Sequence, residues 1–356
     1  MSLRFHWSLS SAGERLRGAR SRASQSGTPD LPAHVRFCQL AEECGIESLL
    51  TAFGFHRPDP LALATALGSA TRTIKFMVAC RSGVCSPALF VQQVNTVAAL
   101  TGGRITINVV AGHSPHEHRT YGDTLGHDER YARSDEFWTV CRAFWRREAS
   151  VDFAGRYYRV EGGRLNIPFA APGRTAPEVY VGGNSEQAER LAVRHASCLL
   201  RLPEAPEVMR PRVQALRRQG IEVGLLVSMI ARSSRGEALA AARDLVAEAG
   251  EEARAVHRDF AQRSDSVAFR STYGLAASAP EWLTPYLWTG AVPVLGAPAI
   301  SLVGGPEEIA EALFAYREAG VTQFLFMGWP DDEAMSFFGR EILPLVRHRE
   351  RKEGAA

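Results

Sequence analysis

The sequence predicts a (β/α)8 barrel. Short apolar segments alternate with helix-like segments along all 356 residues, and eight of the apolar segments have strand length. Segments such as residues 105–110 are apolar on both faces, as buried parallel strands are. A Gly-x-Gly-x-x-Gly turn after the first strand, typical of an open dinucleotide-binding sheet, is missing. We therefore expect one domain that spans residues 1–356.

The predicted strands are short, rich in apolar residues and bounded by Gly, Pro or polar residues. In chain order they cover residues 3–9, 46–52, 73–80, 104–110, 178–181, 196–200, 222–231 and 323–327. The predicted helices have apolar residues at helical spacing, and a Gly or Pro stands near many of their ends. They cover residues 33–44, 59–70, 87–100, 131–147, 185–194, 206–219, 236–249, 307–319 and 331–347.

Three insertions interrupt the alternation, at about residues 111–131, 151–168 and 250–302. The second has the pattern of a β-hairpin. The other two follow the fourth and seventh strands, and loops after barrel strands border the face where active sites lie. Long loops without regular structure in compact domains are usually functional or disordered. We expect residues 250–302 to form a mobile lid without regular structure.

Composition and charge exclude several classes of protein. Hydrophobic residues make up 46% and charged residues 22%, and the net charge is +2, so we expect neither disorder nor a nucleic acid partner. The six cysteines show no Cys-x-x-Cys and no spacing with His that suits zinc, so we expect reduced thiols and no metal. No run has the length of a membrane span or the form of a signal peptide. We expect a cytoplasmic protein that does not contact membranes.

Two segments about fifty residues apart predict a phosphate site. A strand runs through Gly182, Gly183, Asn184 and Ser185 into a helix. Backbone N–H groups at such a helix start are unpaired, and glycine lets an anion approach them. The segment with His127, Arg130 and Tyr131 opens an earlier helix and offers further hydrogen-bond donors. Together the two segments predict a phosphate-bearing cofactor.

At these residues the chain resembles the bacterial luciferase-like flavin monooxygenases, and within them the alkanesulfonate monooxygenase branch. The resemblance extends over residues 3–9, 74–81, 86–87, 102–104, 108–112, 130–131, 151–155, 287–290, 302–304 and 342–345. It implies reduced FMN as cofactor, a flavin hydroperoxide formed with O2, and oxygenation of a small organic substrate. It also implies a separate NAD(P)H:FMN reductase as partner and a homodimer or homotetramer.

The resemblance further implies roles for strand-end residues. Asn108 ends the fourth strand and is expected to contact the flavin ring, and Ala79 in the third strand leaves room for it. In relatives the loop after the second strand carries a catalytic His or Cys. Here it carries His56 and Arg57, and an imidazole can exchange a proton near neutral pH. We expect His56, with Arg57 beside it, to manage that proton.

Departures from the alkanesulfonate pattern bear on the substrate. The branch has an Arg and a His on its seventh strand, where this chain has Leu226 and Ser228, and Leu295 stands near another arginine of the pattern. Since arginines recognise a sulfonate through charge-assisted hydrogen bonds, a simple alkanesulfonate is not expected. An organosulfur compound and a natural-product intermediate stay open. The expected pocket residues are Trp7, Phe55, Arg201, Leu226, Ser228, Phe326 and Trp329.

Two alternatives remain at this point. The first is a deazaflavin-dependent oxidoreductase with the same fold, which transfers hydride without oxygen. The second is a flavin-binding subunit without catalytic activity, which loss of the sulfonate-site residues permits. A titration with each cofactor separates the first alternative from an FMN enzyme, and a substrate panel separates the second.

Overall fold

Twelve strands form the framework of the protein within the residues that the computed structural model describes, which are 2–9, 28–55, 57–112, 114–328 and 331–355. In chain order they are β1 Arg4–Ser8, β2 Ser48–Thr51, β3 Lys75–Cys80, β4 Ile105–Val109, β5 Val151–Ala154, β6 Arg159–Gly163, β7 Glu178–Gly182, β8 Cys198–Arg201, β9 Glu222–Ala231, β10 Leu287–Trp288, β11 Ser301–Gly304 and β12 Gln323–Gly328.

Eight of these strands close into a parallel barrel. Neighbouring strands pair in the order β1, β2, β3, β4, β7, β8, β9 and β12, and β12 pairs back with β1. The predicted (β/α)8 barrel is therefore confirmed. β9 is longer than its neighbours, and its last residues pair with β11, which in turn pairs antiparallel with β10. β5 and β6 form the predicted hairpin as a separate two-stranded sheet.

Thirteen α-helices in the described part of the chain accompany the strands. They are α1 Leu31–Glu43, α2 Pro60–Ser69, α3 Pro87–Thr101, α4 Pro115–Thr120, α5 His127–Trp145, α6 Glu186–His195, α7 Pro206–Arg218, α8 Arg235–Arg263, α9 Val267–Ser278, α10 Val292–Leu295, α11 Pro306–Ala319, α12 Asp331–Phe337 and α13 Leu343–Ala355. A π-helical turn, Phe338–Ile342, joins the last two.

Side-chain capping sets where several helices begin. Asp59 and Ser86 each precede a proline in the first turn, and each side chain accepts a hydrogen bond from a backbone N–H three residues on. Proline at this position loses no helical hydrogen bond and has the φ that the helix needs. α3 ends at Gly102, whose φ of +64° is in the left-handed region that glycine adopts without strain.

The barrel interior changes from polar to apolar along its axis. At the N-terminal end Arg4 forms ion pairs with Glu47 and Glu178. In the next layer His6 contacts Ser48 at 2.7 Å and Gln323 at 2.9 Å. A separate apolar cluster lies above it, formed by Met77, Tyr180, Cys198, Leu200 and Leu325 with Leu50 and Leu226 against them. These layers close the interior below the C-terminal face of the barrel.

The predicted loop over residues 250–302 is instead largely helical. α8 continues to Arg263 through a break at Gly250, where φ is +72°, and α9, α10, β10 and β11 follow. The expectation of a segment without regular structure was wrong, because alanines and charged residues form helix readily on both sides of this one glycine. Similarly, the insertion over residues 111–131 contains α4 and the first turn of α5.

The cysteines and the helices bear on two further expectations. All six cysteines are free thiols, and five of them are buried. Among the described residues, no helix has both the length and the apolar character that crossing a membrane requires.

Candidate functional site

A cavity of about 250 Å³ opens at the C-terminal ends of the barrel strands. Its walls come from strand ends β2, β3, β4, β7 and β8, from the start of α5 and from the first turn of α9. Leu50, Leu226 and Leu325 form its apolar floor. Active sites of (β/α)8 barrels lie at this face, so the cavity is the candidate active site.

One end of the cavity suits a flat, polar-edged ring. Asn108 and Ala79 pair across β4 and β3, and both line the cavity beside Gly182. The Asn108 side chain is buried, and its Oδ1 has no hydrogen-bond partner among the described residues. A buried amide oxygen without a partner is costly, so a ligand with an N–H group would satisfy it. A Cβ on Gly182 would lie 3.6 Å from this oxygen.

The other end of the cavity is the start of α6. Ser185 is the N-cap of this helix, and its Oγ accepts a hydrogen bond from Ala188 N at 3.1 Å. Gly183 has a φ of +152°, and a Cβ there would lie only 2.8 Å from the Ala188 Cβ. Only glycine therefore suits this position, where the chain turns from β7 into α6 and the Gly183 N–H donates to Leu200 O at 2.9 Å.

Tyr131 of α5 faces this turn. Its hydroxyl lies 3.3 Å from the position that a Gly183 Cβ would occupy. Burial raises the pKa of Tyr131 above its usual value, so the hydroxyl stays a proton donor throughout the physiological range. The His127 ring packs against the Tyr131 ring with centroids 5.1 Å apart. The two segments singled out in the sequence thus meet at one point.

Two polar residues of these segments hold the loops in place. Asn184 donates to Leu202 O and accepts from Leu202 N at 3.1 Å, which ties the β7 and β8 loops together. Arg130 is buried and donates to Ala111 O, to Leu125 O and to Asp265 Oδ2 at 2.6 Å. Its guanidinium therefore joins three loops around the cavity.

The sequence reasoning missed a buried ion pair at the cavity wall. Arg81 follows β3, lines the cavity and donates to Glu117 Oε2 at 2.9 Å, while Glu117 Oε1 accepts from Phe55 N at 3.2 Å. The Arg81 guanidinium lies over the Phe53 ring, 4.8 Å from its centroid. Nε and Nη1 of Arg81 have no hydrogen-bond partner in the described part of the chain. A polar residue at a strand end, the signal that singled out Asn108, applied here as well.

Comparison with known proteins identifies the family. The model of the luciferase-like monooxygenases matches residues 4–323, which is most of the chain. The chain belongs to the luciferase-like monooxygenase family. The match confirms the predicted family and the predicted enzyme class, a flavin-dependent monooxygenase.

Solved structures with the same fold cover nearly the whole chain. A riboflavin lyase, solved with modified FMN and riboflavin, is 18% identical with a TM-score of 0.75, over 98% of this chain and 92% of that one. An EDTA monooxygenase from Chelativorans sp. BNC1 is 19% identical with a TM-score of 0.74, over 98% and 95%. A coenzyme F420-dependent tetrahydromethanopterin reductase from Methanopyrus kandleri is 15% identical with a TM-score of 0.66, over 97% and 100%.

In this luciferase-like chain all eight residues predicted to bind the cofactor line the one cavity. They are Ala79, Asn108, His127, Tyr131, Gly182, Gly183, Asn184 and Ser185. The structure thus brings them together, and their roles stay predictions.

The residues predicted to bind substrate are more scattered. Arg201 and Leu226 line the cavity, and Arg201 also pairs with Glu189 at 2.6 Å. The Ser228 hydroxyl donates to Pro298 O at 2.8 Å. Phe55 is exposed beside His116, outside the cavity lining. These positions place two of the predicted substrate contacts at the cavity and two away from it.

Trp7 and Phe326 lie on the opposite face of their strands. Both rings pack against Phe338 between the barrel and the helix layer, and Trp7 donates to Asp331 at 3.0 Å. Successive residues of a strand alternate between faces, and the neighbours His6 and Leu325 point inward. This alternation is why the two rings do not reach the cavity.

Three predicted site residues remain, the proposed catalytic pair His56 and Arg57 and the aromatic residue Trp329. His56 and Trp329 lie outside the described residues. Arg57 lies in the loop after β2, where its backbone N–H donates to Gly54 O at 3.0 Å. The proposed catalytic role of this loop stays a prediction.

Proposed function

We propose that this luciferase-like enzyme binds reduced FMN in the strand-end cavity and uses O2 to oxygenate a small, largely apolar organic substrate. The phosphate would lie at Gly183–Ser185 with Tyr131, and the ring beside Ala79 and Asn108. The observation that carries the proposal is that the Tyr131 hydroxyl meets the Gly183 turn in the same cavity as the Asn108 oxygen, which has no hydrogen-bond partner among the described residues.

Several features of the cavity fit this cofactor. The N-terminus of a helix favours a phosphate dianion through its unpaired N–H groups and its dipole. The missing Cβ of Gly183 lets the turn pack closely against Ala188 and the Tyr131 hydroxyl, which brings Tyr131 to the N-terminus of α6. Asn108 Oδ1 can accept a hydrogen bond from a ring N–H, and the adjacent Ala79 and Gly182 leave room for a flat ring.

When bound, reduced flavin supplies the chemistry that activates O2. The residues of this chain bind and orient it and keep water away. The first turn of α9 contributes Val267, Ala268 and Phe269 to the cavity wall. Exclusion of water from the cavity limits side reactions of a reactive intermediate. We keep His56 as the proposed proton donor and acceptor, with Arg57 beside it.

The walls favour an apolar substrate. Leu226 stands in the cavity where the alkanesulfonate pattern has an arginine, and Phe53, Leu50 and Phe269 add apolar surface. Leu295, at or near another arginine of that pattern, packs with the small cluster around Trp288. A simple alkanesulfonate would therefore lack the cationic partner that this pattern places at Leu226. An organosulfur compound or a natural-product intermediate fits better.

We also propose that a separate NAD(P)H:FMN reductase delivers the reduced cofactor and that the chain acts in the cytoplasm as a homodimer or homotetramer. The lack of a nicotinamide-binding fingerprint in the sequence supports the separate reductase.

Reconstitution tests the proposal. Protein, an unrelated flavin reductase, NADH, FMN and air are combined with a panel of thioethers, sulfones, ketones and terpenoids, and products are sought by mass spectrometry with ¹⁸O₂. Incorporation of one ¹⁸O atom supports the proposal. Flavin binding without turnover on the panel favours a catalytically inactive subunit instead.

A cofactor titration addresses the deazaflavin alternative. Quenching of intrinsic fluorescence is followed as FMN, riboflavin or F420 is added to the protein. The proposal predicts tight binding of FMN and much weaker binding of F420. Preference for F420 would replace the oxygenase proposal with hydride transfer on the same barrel.

A further inference from the structure

We propose that Arg81 donates hydrogen bonds to an uncharged carbonyl oxygen of the substrate, so that the enzyme acts on small neutral ketones, esters or amides. This rests on the proposed function, because it assumes flavin in the cavity. It adds a substrate class and a residue that selects it.

The first support is the unused hydrogen-bonding capacity of Arg81. The side chain is buried and lines the cavity, yet its bond to Glu117 engages Nη2 alone, and Nε and Nη1 lack partners among the described residues. A buried donor without a partner costs free energy. A ligand that brings an oxygen acceptor to this wall removes that cost.

Charge balance decides which acceptor fits. Glu117 already neutralises Arg81, and two neighbouring arginines are likewise paired, buried Arg130 with Asp265 at 2.6 Å and partly buried Arg133 with Asp123 at 2.5 Å. His118 stays neutral, because burial, with Arg130 and Arg81 nearby, lowers its pKa to about 4. A substrate anion would therefore add an uncompensated buried charge. A carbonyl oxygen satisfies the donors without one.

Position separates this acceptor from the flavin. Arg81 lies two residues beyond Ala79, just after the end of β3, and so nearer the cavity mouth than the level of Ala79 and Asn108. Its guanidinium lies over the Phe53 ring, and its partner Glu117 holds the backbone of Phe55. These contacts are on the β2 side of the mouth, three strands away in ring order from the phosphate turn after β7. We therefore assign the carbonyl to the substrate.

The experiment uses matched probes on the protein loaded with oxidised FMN. Acetophenone, benzamide and benzoate share one ring and differ in the charge on the oxygen-bearing group. Their dissociation constants are measured by saturation-transfer NMR for the wild type and for the double variant Arg81→Met/Glu117→Gln. The double substitution avoids leaving a buried Glu117 carboxylate unpaired. Arg133→Met/Asp123→Asn is the matched control, since this partly buried pair does not line the cavity.

We expect acetophenone and benzamide to bind the wild type about fivefold or more tightly than benzoate, the effect of a single satisfied hydrogen bond. The preference should disappear in Arg81→Met/Glu117→Gln and persist in the control, with FMN affinity unchanged within about threefold. The single variant Arg81→Lys, which keeps the charge for Glu117, should weaken the preference if the double variant does not fold.

Several results overturn the inference. They are equal or tighter binding of benzoate, no binding of either carbonyl probe, or an unchanged preference in the variants. A tenfold or larger loss of FMN affinity in the Arg81 variants would show that the flavin's own carbonyl is the acceptor. Failure of the wild type to bind FMN contradicts the proposed function itself and is measured separately before any probe is added.

Discussion

The Tyr131 hydroxyl lies 3.3 Å from the position that a side chain on Gly183 would occupy. The two residues belong to segments about fifty positions apart in the sequence, one at the start of α5 and one at the end of β7. Their meeting defines a small concave space at the N-terminus of α6. Five predictions test what this space and its surroundings do.

Substitution of Gly183 fills the space. In Gly183→Ala the new Cβ would lie 2.8 Å from the Ala188 Cβ at a φ of +152°. We expect FMN affinity to fall about tenfold or more, because strain of about 1–3 kcal/mol is added where the phosphate approaches. Isothermal titration measures it. Gly220→Ala is the control, since Gly220 also has a positive φ, +80°, with open space around it. Equal FMN affinity in both variants contradicts the phosphate assignment.

Removal of the Tyr131 hydroxyl should separate FMN from riboflavin. A hydrogen bond to a phosphate is worth about 1.5–3 kcal/mol, so Tyr131→Phe should weaken FMN about 10–100-fold. Riboflavin, which lacks the phosphate, should be affected little. Tyr316→Phe is the control, because this buried hydroxyl donates to Glu204 O, remote from the cavity. An equal loss for both flavins would place the hydroxyl at the ring instead.

Asn108→Leu, unlike Tyr131→Phe, should weaken the binding of both flavins. The Asn108 oxygen has no partner within the described structure and lies at the ring end of the proposed site. We expect FMN and riboflavin to weaken by a similar factor, about fivefold, since one hydrogen bond to the shared ring is lost. Fluorescence quenching measures both. A loss confined to FMN would argue against the proposed orientation of the cofactor.

The Arg130–Asp265 pair should govern how fast flavin leaves. Asp265 lies just before α9, whose first turn lines the cavity, and it accepts from buried Arg130 at 2.6 Å. Asp265→Asn should speed FMN dissociation about three- to tenfold and raise hydrogen exchange in α9, because a buried cation loses its countercharge. Asp259→Asn removes an exposed pair with Arg263 and serves as the control. An unchanged dissociation rate of FMN would show that the Arg130–Asp265 pair does not hold α9 against the cavity.

His6, buried inside the barrel, should make the free energy of unfolding depend on pH. Burial lowers the pKa of His6 from 6.5 to about 4, against the opposing effect of Glu47. The unfolded chain therefore binds this proton below pH 6.5, whereas the folded chain does so only near pH 4. The contribution of neutral His6 to the free energy of unfolding is fully present above pH 6.5 and is lost as the pH falls toward 4.

Between pH 7 and pH 5 the wild type should lose about 2 kcal/mol through His6. His6→Asn should be less stable at pH 7, since its bonds to Ser48 and Gln323 change, but should show a flatter pH dependence. Urea denaturation at several pH values measures both. The exposed His348→Asn should keep the wild-type dependence. An equally steep pH dependence of stability in His6→Asn would contradict the assignment of this dependence to His6.

Local sequence patterns predicted the barrel and one end of the site well. Short apolar segments between Gly and Pro residues located the barrel strands, because burial on both faces requires continuous apolar residues. The Gly182–Ser185 turn and Tyr131 could be found because each has its own local pattern at a helix start. They meet because both lie at the C-terminal side of the barrel, which the fold class already implies.

Features that depend on side-chain direction or on distant partners were harder to predict. Trp7 was expected in the pocket, yet strand alternation turns it outward. Arg81 was missed because its partner Glu117 is 36 positions away, and the sequence alone does not show that the two are buried together. The helices of residues 250–302 were missed because Gly250 was read as the end of a helix, whereas it is a break within one.

A crystal structure of the protein with FMN tests the central claim most directly. We expect the phosphate at the N-terminus of α6, at the backbone N–H groups of Asn184 and Ser185 and within hydrogen-bond distance of the Tyr131 hydroxyl, and the ring against Ala79 and Asn108. A phosphate bound elsewhere, or a ring outside the strand-end cavity, would contradict it.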